Sequence, residues 1–224
     1  PYGSAMEFTE PAESTAARPL MRQRWLDVTF LHWPVDPAEV QRRLPDGLTA
    51  DTFDGSGWVG LVPFRMVGIG PARGPAIPYF GTFWETNVRT YVIGPHGERG
   101  VWFDSLDIDR ALPVLAAQAA YGLPYRWAAM GGEITRSTAR YVMERRRPHR
   151  VRPASTLSVR VGEPLGDPSP LEAFLTRRWR LFARRMSKRS GSGKWAGSRL
   201  AAPKERFIST PGRKRVPSSS TGFS

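Results

Sequence analysis

The chain has 224 residues, 40% of them hydrophobic, and a formal net charge of +13, which suits one good-sized domain or two small ones. It contains no cysteine, and this excludes disulfides, thiolate metal ligands and cysteine nucleophiles. No apolar run is long enough to span a bilayer and no secretory leader is recognisable, so we expect a cytoplasmic protein without a membrane partner.

The excess positive charge is concentrated near the C-terminal end. Residues 186–224 contain nine basic residues, one acidic residue and all four lysines of the chain. The segment is also rich in Ser, Gly and Pro, so we predict a disordered basic tail. Three interpretations of the tail stay open: a nucleic-acid-binding arm, a solvated segment, and a non-native segment produced by a change of reading frame.

The opening residues are atypical as well. The run "GSAMEF" at 3–8 is what a series of common cloning sites encodes, so we attribute residues 1–8 to a vector. The predicted organisation therefore has three parts: a disordered, partly vector-derived N-terminus at 1–19, one folded domain at 20–185, and the tail at 186–224.

Most of the predicted elements of the domain are strands, because alternating and β-branched or aromatic residues dominate between turn signals. The predicted strands are 24–33, 47–53, 57–69, 82–93, 100–108, 125–130, 133–146 and 156–162. A proline-rich loop is expected at 70–79. Many short antiparallel strands with tight turns favour a mainly β fold, a closed or nearly closed antiparallel β-barrel.

About three helices are expected outside this barrel. The run "DPAEVQRRL" predicts a short helix with Asp36 as its N-cap and Glu39 completing a capping box. An Ala- and Leu-rich helix is predicted at 112–122. The last helix is predicted over 169–185, where Ser169 and Glu172 form a second capping box and the length gives about four turns.

The stretch "FGTFWETNVRTY" carries the main functional signal. Alternation places Phe83, Glu85, Asn87, Arg89 and Tyr91 on one face of a strand. A polar and aromatic face of this kind suits the inside of a ligand-holding barrel. The plain alternative is a solvent-facing strand with cross-strand ion pairs. Because Glu85 and Arg89 are about 13 Å apart in an extended strand, each needs another partner or a ligand.

The remaining candidate motifs are weaker. Three acids in "FDSLDID" could bind a metal, but Asp107 or Asp109 as the N-cap of the next helix explains two of them more simply. Scattered histidines give no zinc spacing, so neither a metal nor a cofactor is expected. The basic run at 145–152 could bind an anion or nucleic acid, although a solvated hairpin tip is the commoner explanation.

Several of these runs together resemble a bacterial family, the YqjF-like domain of unknown function 2071. The resemblance rests on "FLHWPVDPAEVQRRLPDGLTADTFDGSGWVGLVPFRM", "FWETNVRTYV" and "GVWFDSLDID", and it covers roughly residues 20–182. The family is grouped with the acetoacetate-decarboxylase-like superfamily, which implies a closed β-barrel with outer helices and an internal polar pocket.

The resemblance also has limits. The decarboxylase prototype uses a Schiff-base lysine, whereas the lysines of this chain all lie in the tail. The superfamily's pocket glutamate plausibly matches Glu85. The family usually continues with further chain that completes its sheet, and the different tail found here supports the frame-change hypothesis. A truncated barrel edge could pair with a second chain, so a homo-oligomer is a further expectation.

The sequence therefore predicts a small-molecule-binding barrel protein whose ligand is anionic or contains a carbonyl group. Arg89 would bind a carboxylate or enolate, Glu85 would serve as a hydrogen-bond partner or a proton shuttle, and Arg65 or His32 would lie at the pocket edge. An enzyme of this kind would catalyse proton transfer or decarboxylation, a lyase-like activity without an imine. The alternative is a non-catalytic carrier or sensor, and nucleic-acid binding through the tail is less favoured.

Overall fold

The computed structural model describes residues 21–71, 73–79, 81–110, 123–146, 153–163, 166–178, 180–185, 194–199 and 208–211. The strands within these ranges are β1 (Met21–Leu26), β2 (Thr29–Val35), β3 (Thr49–Ala50), β4 (Gly57–Pro71), β5 (Phe83–Ile93), β6 (Arg99–Ile108), β7 (Tyr125–Ile134), β8 (Thr138–Arg145), β9 (Ala154–Arg160), β10 (Arg180–Arg185), β11 (Lys194–Arg199) and β12 (Ile208–Pro211). The helices are α1 (Pro37–Arg43) and α2 (Pro170–Thr176).

The strands form one mixed sheet, so the fold is mainly β. Neighbouring strands follow the order β12-β2-β4-β5-β6-β7-β8-β9. Strands β1 and β3 pair with β4 and β5, and β10 pairs with β6 and β11. The pairs β6–β7, β6–β10 and β2–β12 are parallel, so the prediction of a purely antiparallel sheet is wrong.

The predicted closed barrel is not confirmed. Strands β12 and β9 end the path, and no pairing among the described strands joins them. Strand β2, next to the end strand β12, nevertheless contacts a side chain of β8, next to the end strand β9. The Tyr141 hydroxyl lies 2.8 Å from Thr29 Oγ1 and donates a 2.7 Å hydrogen bond to the carbonyl of Asp27. The outer surface of β2 is therefore tied to β8.

Helix α1 begins as predicted but is capped differently. Asp36 is the N-cap, and its carboxylate accepts a hydrogen bond from Ala38 N at 2.8 Å. Glu39 forms an ion pair with Arg42 instead of closing a capping box. The predicted helix at 112–122 lies outside the described residues, so two of the three predicted helices are described.

The last predicted helix is half right. Its N-terminus has the predicted capping box, in which Ser169 and Glu172 bond to each other's backbone N–H. The helix ends at Thr176, and the chain then forms β10 between β6 and β11. Pairing with a sheet edge satisfies backbone groups that a longer helix would satisfy internally, so a tertiary contact overrides the helical pattern.

Two other predicted boundaries are wrong. The strand predicted at 24–33 is broken at Asp27, whose φ of 55° turns the chain between β1 and β2. Gly131 and Gly132 do not form the turn between two strands, because both lie inside β7. The turn comes at Thr135, whose hydroxyl accepts hydrogen bonds from Ser137 N and Thr138 N.

The tail also differs from its prediction in two places. Residues Lys194–Arg199 form β11 on β10, and Ile208–Pro211 form β12 parallel to β2. The rest of 186–224 lies outside the described residues. Within the described ranges, neither helix is long and apolar enough to cross a membrane.

Two apolar clusters fill the inner face of the sheet. The first cluster packs β2, β4, β5 and β6 around Phe64, with Val28, Phe30, Val62, Met66, Phe83 and Ile108. The second packs α2 against β5 and β6 around Phe174, with Tyr91, Val101, Phe103, Leu106, Leu175 and Leu181. Glu85, Asn87 and Arg89 lie on β5 between Phe83 of the first cluster and Tyr91 of the second.

Adjacent glycines of β7 allow a matched test of the packing around Trp84, on the opposite face of the sheet. A Cβ at Gly132 would lie 2.5 Å from Cη2 of Trp84, whereas the nearest atom to a Cβ at Gly131 is Val142 Cγ2 at 3.6 Å. We expect Gly132→Ala to lower the free energy of unfolding by roughly 1–3 kcal/mol through overpacking. Gly131→Ala should change it far less. Urea denaturation measures both, and equal losses would contradict the contact.

Candidate functional site

The polar side chains of β5 lie on one buried face, as the alternation predicts. Phe83, Glu85, Asn87, Arg89 and Tyr91 are all buried, with at most 6% of each residue exposed. The alternative of a solvent-facing strand is therefore wrong for this stretch. Residues directly opposite each other in antiparallel strands share a face, so the even residues Phe64, Val62 and Gly60 of β4 lie on the same face as Glu85, Asn87 and Arg89.

Glu85 is held in its neutral form. It is 4% exposed, and its Oε2 atom has no hydrogen-bond partner among the described residues. Burial, followed by the negative charge of Asp107, raises the pKa of Glu85 to about 8. At neutral pH the side chain is therefore mostly a carboxylic acid that can donate a proton.

Asp107 supplies the charge that acts on Glu85. Its two oxygens accept hydrogen bonds from Arg145 Nε at 2.5 Å and Arg145 Nη2 at 2.8 Å. Ser105 Oγ also donates to Asp107, at 3.2 Å. The interpretation of Asp107 as a helix N-cap is wrong, because Asp107 is buried and forms an ion pair with Arg145 of β8. The ion pair between Asp107 and Arg145 joins residues 38 positions apart.

Asn87 extends the unsatisfied polar surface of this face. It is 1% exposed, and in the described part of the chain neither its amide nitrogen nor its amide oxygen has a partner. Buried amides are usually hydrogen-bonded, because leaving them unpaired costs free energy. Together with Glu85 Oε2 and Arg89 Nε, also unpartnered, they give one strand face donors and acceptors for a polar ligand.

Arg89 and Tyr91 are joined to helix α2. Arg89 Nη2 donates to the carbonyl of Leu175 at 2.8 Å and to the Tyr91 hydroxyl at 3.1 Å. The Tyr91 hydroxyl donates to the same carbonyl at 2.7 Å. Burial raises the pKa of Tyr91 more than its arginine neighbours lower it, so the phenol stays protonated.

His32 completes this network from β2. Its Nε2 lies 2.6 Å from the Tyr91 hydroxyl. Burial and the charge of Arg89 lower the pKa of His32 to about 3, so the ring is neutral and carries one N–H. Because the phenol proton goes to Leu175, the geometry favours Nε2–H of His32 as donor to the phenol oxygen. His32 is therefore part of this buried hydrogen-bond network, whereas the sequence predicts it at the edge of the pocket.

Gly60 of β4 makes the approach of His32 and Arg89 possible. A Cβ at this position would lie 3.0 Å from His32 Nε2 and 3.3 Å from Arg89 Cγ. A side chain at position 60 would press against both of these groups, so a glycine at this position matters for the site.

Arg65 does not belong to this face. It pairs in register with Trp84, on the opposite side of the sheet from Phe64 and Glu85. Its guanidinium is 3.3 Å from Asp27 Oδ2, and its Cζ lies 5.7 Å from the Trp84 ring centroid. The prediction of Arg65 at the pocket edge is wrong. In β4 the even-numbered residues share the face of Glu85, and Arg65 lies on the other face.

A cavity lies on the outer side of the sheet, beneath α1. It encloses about 120 Å³ and is bordered by Thr90 of β5. The other lining residues are Val35, Glu39, Val40, Arg43, Leu44, Val59, Trp102 and Asp104. Thr90 belongs to the opposite face of β5 from Glu85, and Glu85 does not border this cavity.

The other charged motifs have structural partners. Asp104 is 3.4 Å from Arg43, and Asp109 Oδ1 accepts from Trp84 N at 3.2 Å. Within the described ranges, no group of three or more His, Asp or Glu residues converges on a metal-sized space. In the basic run, Arg145 pairs with Asp107 and Arg146 lies over Trp127, and residues 147–152 lie outside the described part.

The sequence matches a known family over most of its folded region. Residues 22–194 match the model of DUF2071, described as an uncharacterized conserved protein. The chain belongs to this family. Over 163 residues it is 34% identical to the uncharacterized protein YqjF of Bacillus subtilis, covering 73% of this chain and 67% of that protein.

Solved structures share the fold of this DUF2071 chain at low identity. The acetoacetate decarboxylase of Legionella pneumophila aligns with a TM-score of 0.58 and 16% identity, over 86% of this chain and 72% of that one. An acetoacetate decarboxylase-like enzyme from Sphingomonas wittichii RW1 gives the same score and identity, over 88% and 78%. The enduracididine biosynthesis enzyme MppR, complexed with pyruvate, gives 0.57 and 14%, over 82% and 71%. At this identity the likeness establishes the fold.

The raised pKa of Glu85 predicts a pH-dependent stability. Its pKa is about 8 in the folded chain against 4.5 in the ordinary state. Folding is therefore opposed increasingly as pH rises from about 4.5 to 8, where only the unfolded state ionises. We expect the stability of Glu85→Gln relative to wild type to increase over this range by a few kcal/mol, on the order expected from the shift. Urea denaturation from pH 5 to 9 measures it, and a constant difference would contradict burial of the carboxyl.

The Tyr91 network predicts a second effect on stability. Tyr91→Phe removes the hydroxyl that His32, Arg89 and the Leu175 carbonyl share, so we expect a loss of roughly 1–3 kcal/mol in the free energy of unfolding. Tyr79→Phe is the control, since Tyr79 is 70% exposed. Losses of similar size in both variants would argue against a structural role for the network.

Proposed function

We propose that the chain binds a small carboxylate or carbonyl compound on the inner face of β5, and that Glu85 transfers a proton to or from it. Arg89 binds the anionic group, and Asn87 bonds to a carbonyl or enolate oxygen. Phe83, Tyr91 and His32 complete the surroundings of the ligand. No imine is part of this proposal, because none of these residues carries a primary amine.

The main support for this proposal is a row of buried polar atoms on one strand face that have no partner among the described residues. Glu85 Oε2, both amide atoms of Asn87 and Arg89 Nε are buried and have no partner in the part of the chain that the structure describes. They lie between two apolar clusters, where an unpaired polar group is costly. A ligand with oxygen acceptors and an anionic end would satisfy these groups in the order in which β5 presents them.

The charges of the site suit chemistry next to a carbonyl group. The planar Arg89 guanidinium can stabilise a carboxylate or a developing enolate. Neutral Glu85 can give a proton to the carbon or oxygen that becomes negative. In a water-excluded site such preorganised groups are more effective than in bulk solvent.

A decarboxylation balances with these groups alone. The bond between the α-carbon and the carboxylate of a 3-oxo acid breaks, and carbon dioxide leaves. The electron pair of the broken bond stays with the α-carbon and forms the enolate. Asn87 and Arg89 stabilise the enolate oxygen. Glu85 then protonates the carbon, and water restores its proton. Activity of this type requires neutral Glu85, so it falls as pH rises through about 8.

The comparisons support the ligand class without deciding it. Structural neighbours include enzymes of the acetoacetate decarboxylase type and an enzyme solved with pyruvate. Both names point to small oxo acids as the first compounds to test with this chain.

We also infer that the inner face is enclosed more completely than the described strands alone provide. Tyr141 already ties β8 to β2 at 2.8 Å, and the sequence predicts a third outer helix at 112–122. A nearly closed barrel would keep water from Glu85.

The experiment measures binding and proton transfer separately. Binding of pyruvate and acetoacetate is measured by calorimetry, and hydrogen–deuterium exchange at the pyruvate methyl group and carbon dioxide release from acetoacetate are followed by NMR. We expect Arg89→Gln to weaken binding at least about tenfold. Glu85→Gln should keep binding within a few-fold and lose about 100-fold or more in exchange.

Arg65→Gln is the matched control, because it removes an arginine from the neighbouring strand on the other face of the sheet. It should leave binding and exchange unchanged. Unchanged exchange in Glu85→Gln would reject Glu85 as the proton carrier. Binding without any exchange or release in the wild type would identify a carrier or sensor, and no binding of either acid would reject the site.

A further inference from the structure

A second group of buried charges lies next to the β5 site, at the end of α2. Asp51 is 3% exposed and accepts hydrogen bonds from Arg99 Nε and Nη2, both at 2.7 Å. Arg178 Nη2 also donates to Asp51, at 3.2 Å. A single carboxylate thus faces two guanidinium groups.

Arg178 has donor capacity that the protein does not fully use. Its side chain is 5% exposed, and its Nε atom has no partner within the described ranges. Among the same residues its Nη1 atom has only the carbonyl of Arg177, at 3.5 Å, near the limit of a hydrogen bond. A buried guanidinium normally places its donors on acceptors, so Arg178 is suited to a further anionic or carbonyl group.

Arg178 and Arg89 face the same aromatic ring. The Cζ atom of Arg178 is 5.7 Å from the ring centroid of Tyr91, and that of Arg89 is 5.5 Å from it. Arg178 also lies 4.3 Å from the ring of Phe174, in α2. Since Arg89 bonds to Leu175, three residues before Arg178, both guanidinium groups converge on the end of this helix.

The charges of the combined cluster do not balance. Arg89, Arg99 and Arg178 are cations, and Asp51 is the carboxylate that faces them among the described residues. Glu85 and His32 are neutral at pH 7. Burial lowers the pKa of Arg178 to about 10, opposed by Asp51 and reinforced by Arg99 and Arg89. One anionic group on a ligand would neutralise one cation and leave another in excess.

We propose that the ligand of this site is a dianion, a small dicarboxylic or oxo-dicarboxylic acid, with one carboxylate on Arg89 and the other on Arg178. This inference rests on the proposed function, since it places the first carboxylate on the same arginine. Arg178 then determines specificity, because a monocarboxylate of equal length leaves its donors unpaired. Two carboxylates offset the two uncompensated positive charges.

The test compares acids of equal carbon number that differ in charge. Calorimetry at pH 7 measures succinate against butyrate and 2-oxoglutarate against 2-oxopentanoate. We expect each dianion to bind the wild-type chain at least about tenfold more tightly than its monoanion. Arg178→Gln should remove this preference, and Arg65→Gln, on the other face, should retain it.

Two further variants keep the test decisive if Arg178→Gln fails to fold, which circular dichroism reports. Arg178→Lys keeps the positive charge but not the planar fork, so the preference should shrink. Asp51→Asn removes the competing carboxylate and should strengthen succinate binding. A wild type that binds butyrate and succinate equally overturns the dianion while the proposed function stands. A wild type that binds none of these acids, nor pyruvate, overturns both.

Discussion

The hydroxyl of Tyr91 is the point at which three elements of the fold meet. It contacts His32 of β2, Arg89 of its own strand and the carbonyl of Leu175 in α2. The group is fully buried, so each of these hydrogen bonds operates where water cannot replace it. The same contacts orient Arg89 and hold α2 over the inner face, and the geometry of the candidate site therefore depends on them.

This arrangement explains how a polar strand face can be buried inside an apolar core. Glu85 avoids the cost of a buried charge by staying protonated, and His32 avoids it by staying neutral. Asp107 is compensated by Arg145, and Asp51 by Arg99 and Arg178. What remains is positive charge and unpaired donors and acceptors around β5. The ligand class that we propose, an anion with a carbonyl group, matches a site that is neutral at its acid and positive at its arginines.

The predictions that succeeded are those that depend on local pattern. The alternation in β5 places Glu85, Asn87 and Arg89 on one face, and the residues at Ser169 and Glu172 form their capping box. The failures come from long-range pairing. Residues after Thr176 form a strand because a sheet edge accepts them, and Arg65 faces outward because the register of β4 puts Phe64 opposite Glu85. The ion pairs of Asp107 and Asp51 join residues 38 to 127 positions apart, which no local pattern reveals.

The sequence by itself therefore determined a mainly β chain, the strand face that carries the polar groups, and the family to which the chain belongs. These follow from the two-residue period of a strand and from runs of residues that lie close together in the chain. Only the tertiary structure decided that this face is buried, that Glu85 is neutral, and that Arg178 joins Arg89 beside Tyr91. Each of those properties depends on which distant residues exclude water from a side chain or place a charge beside it.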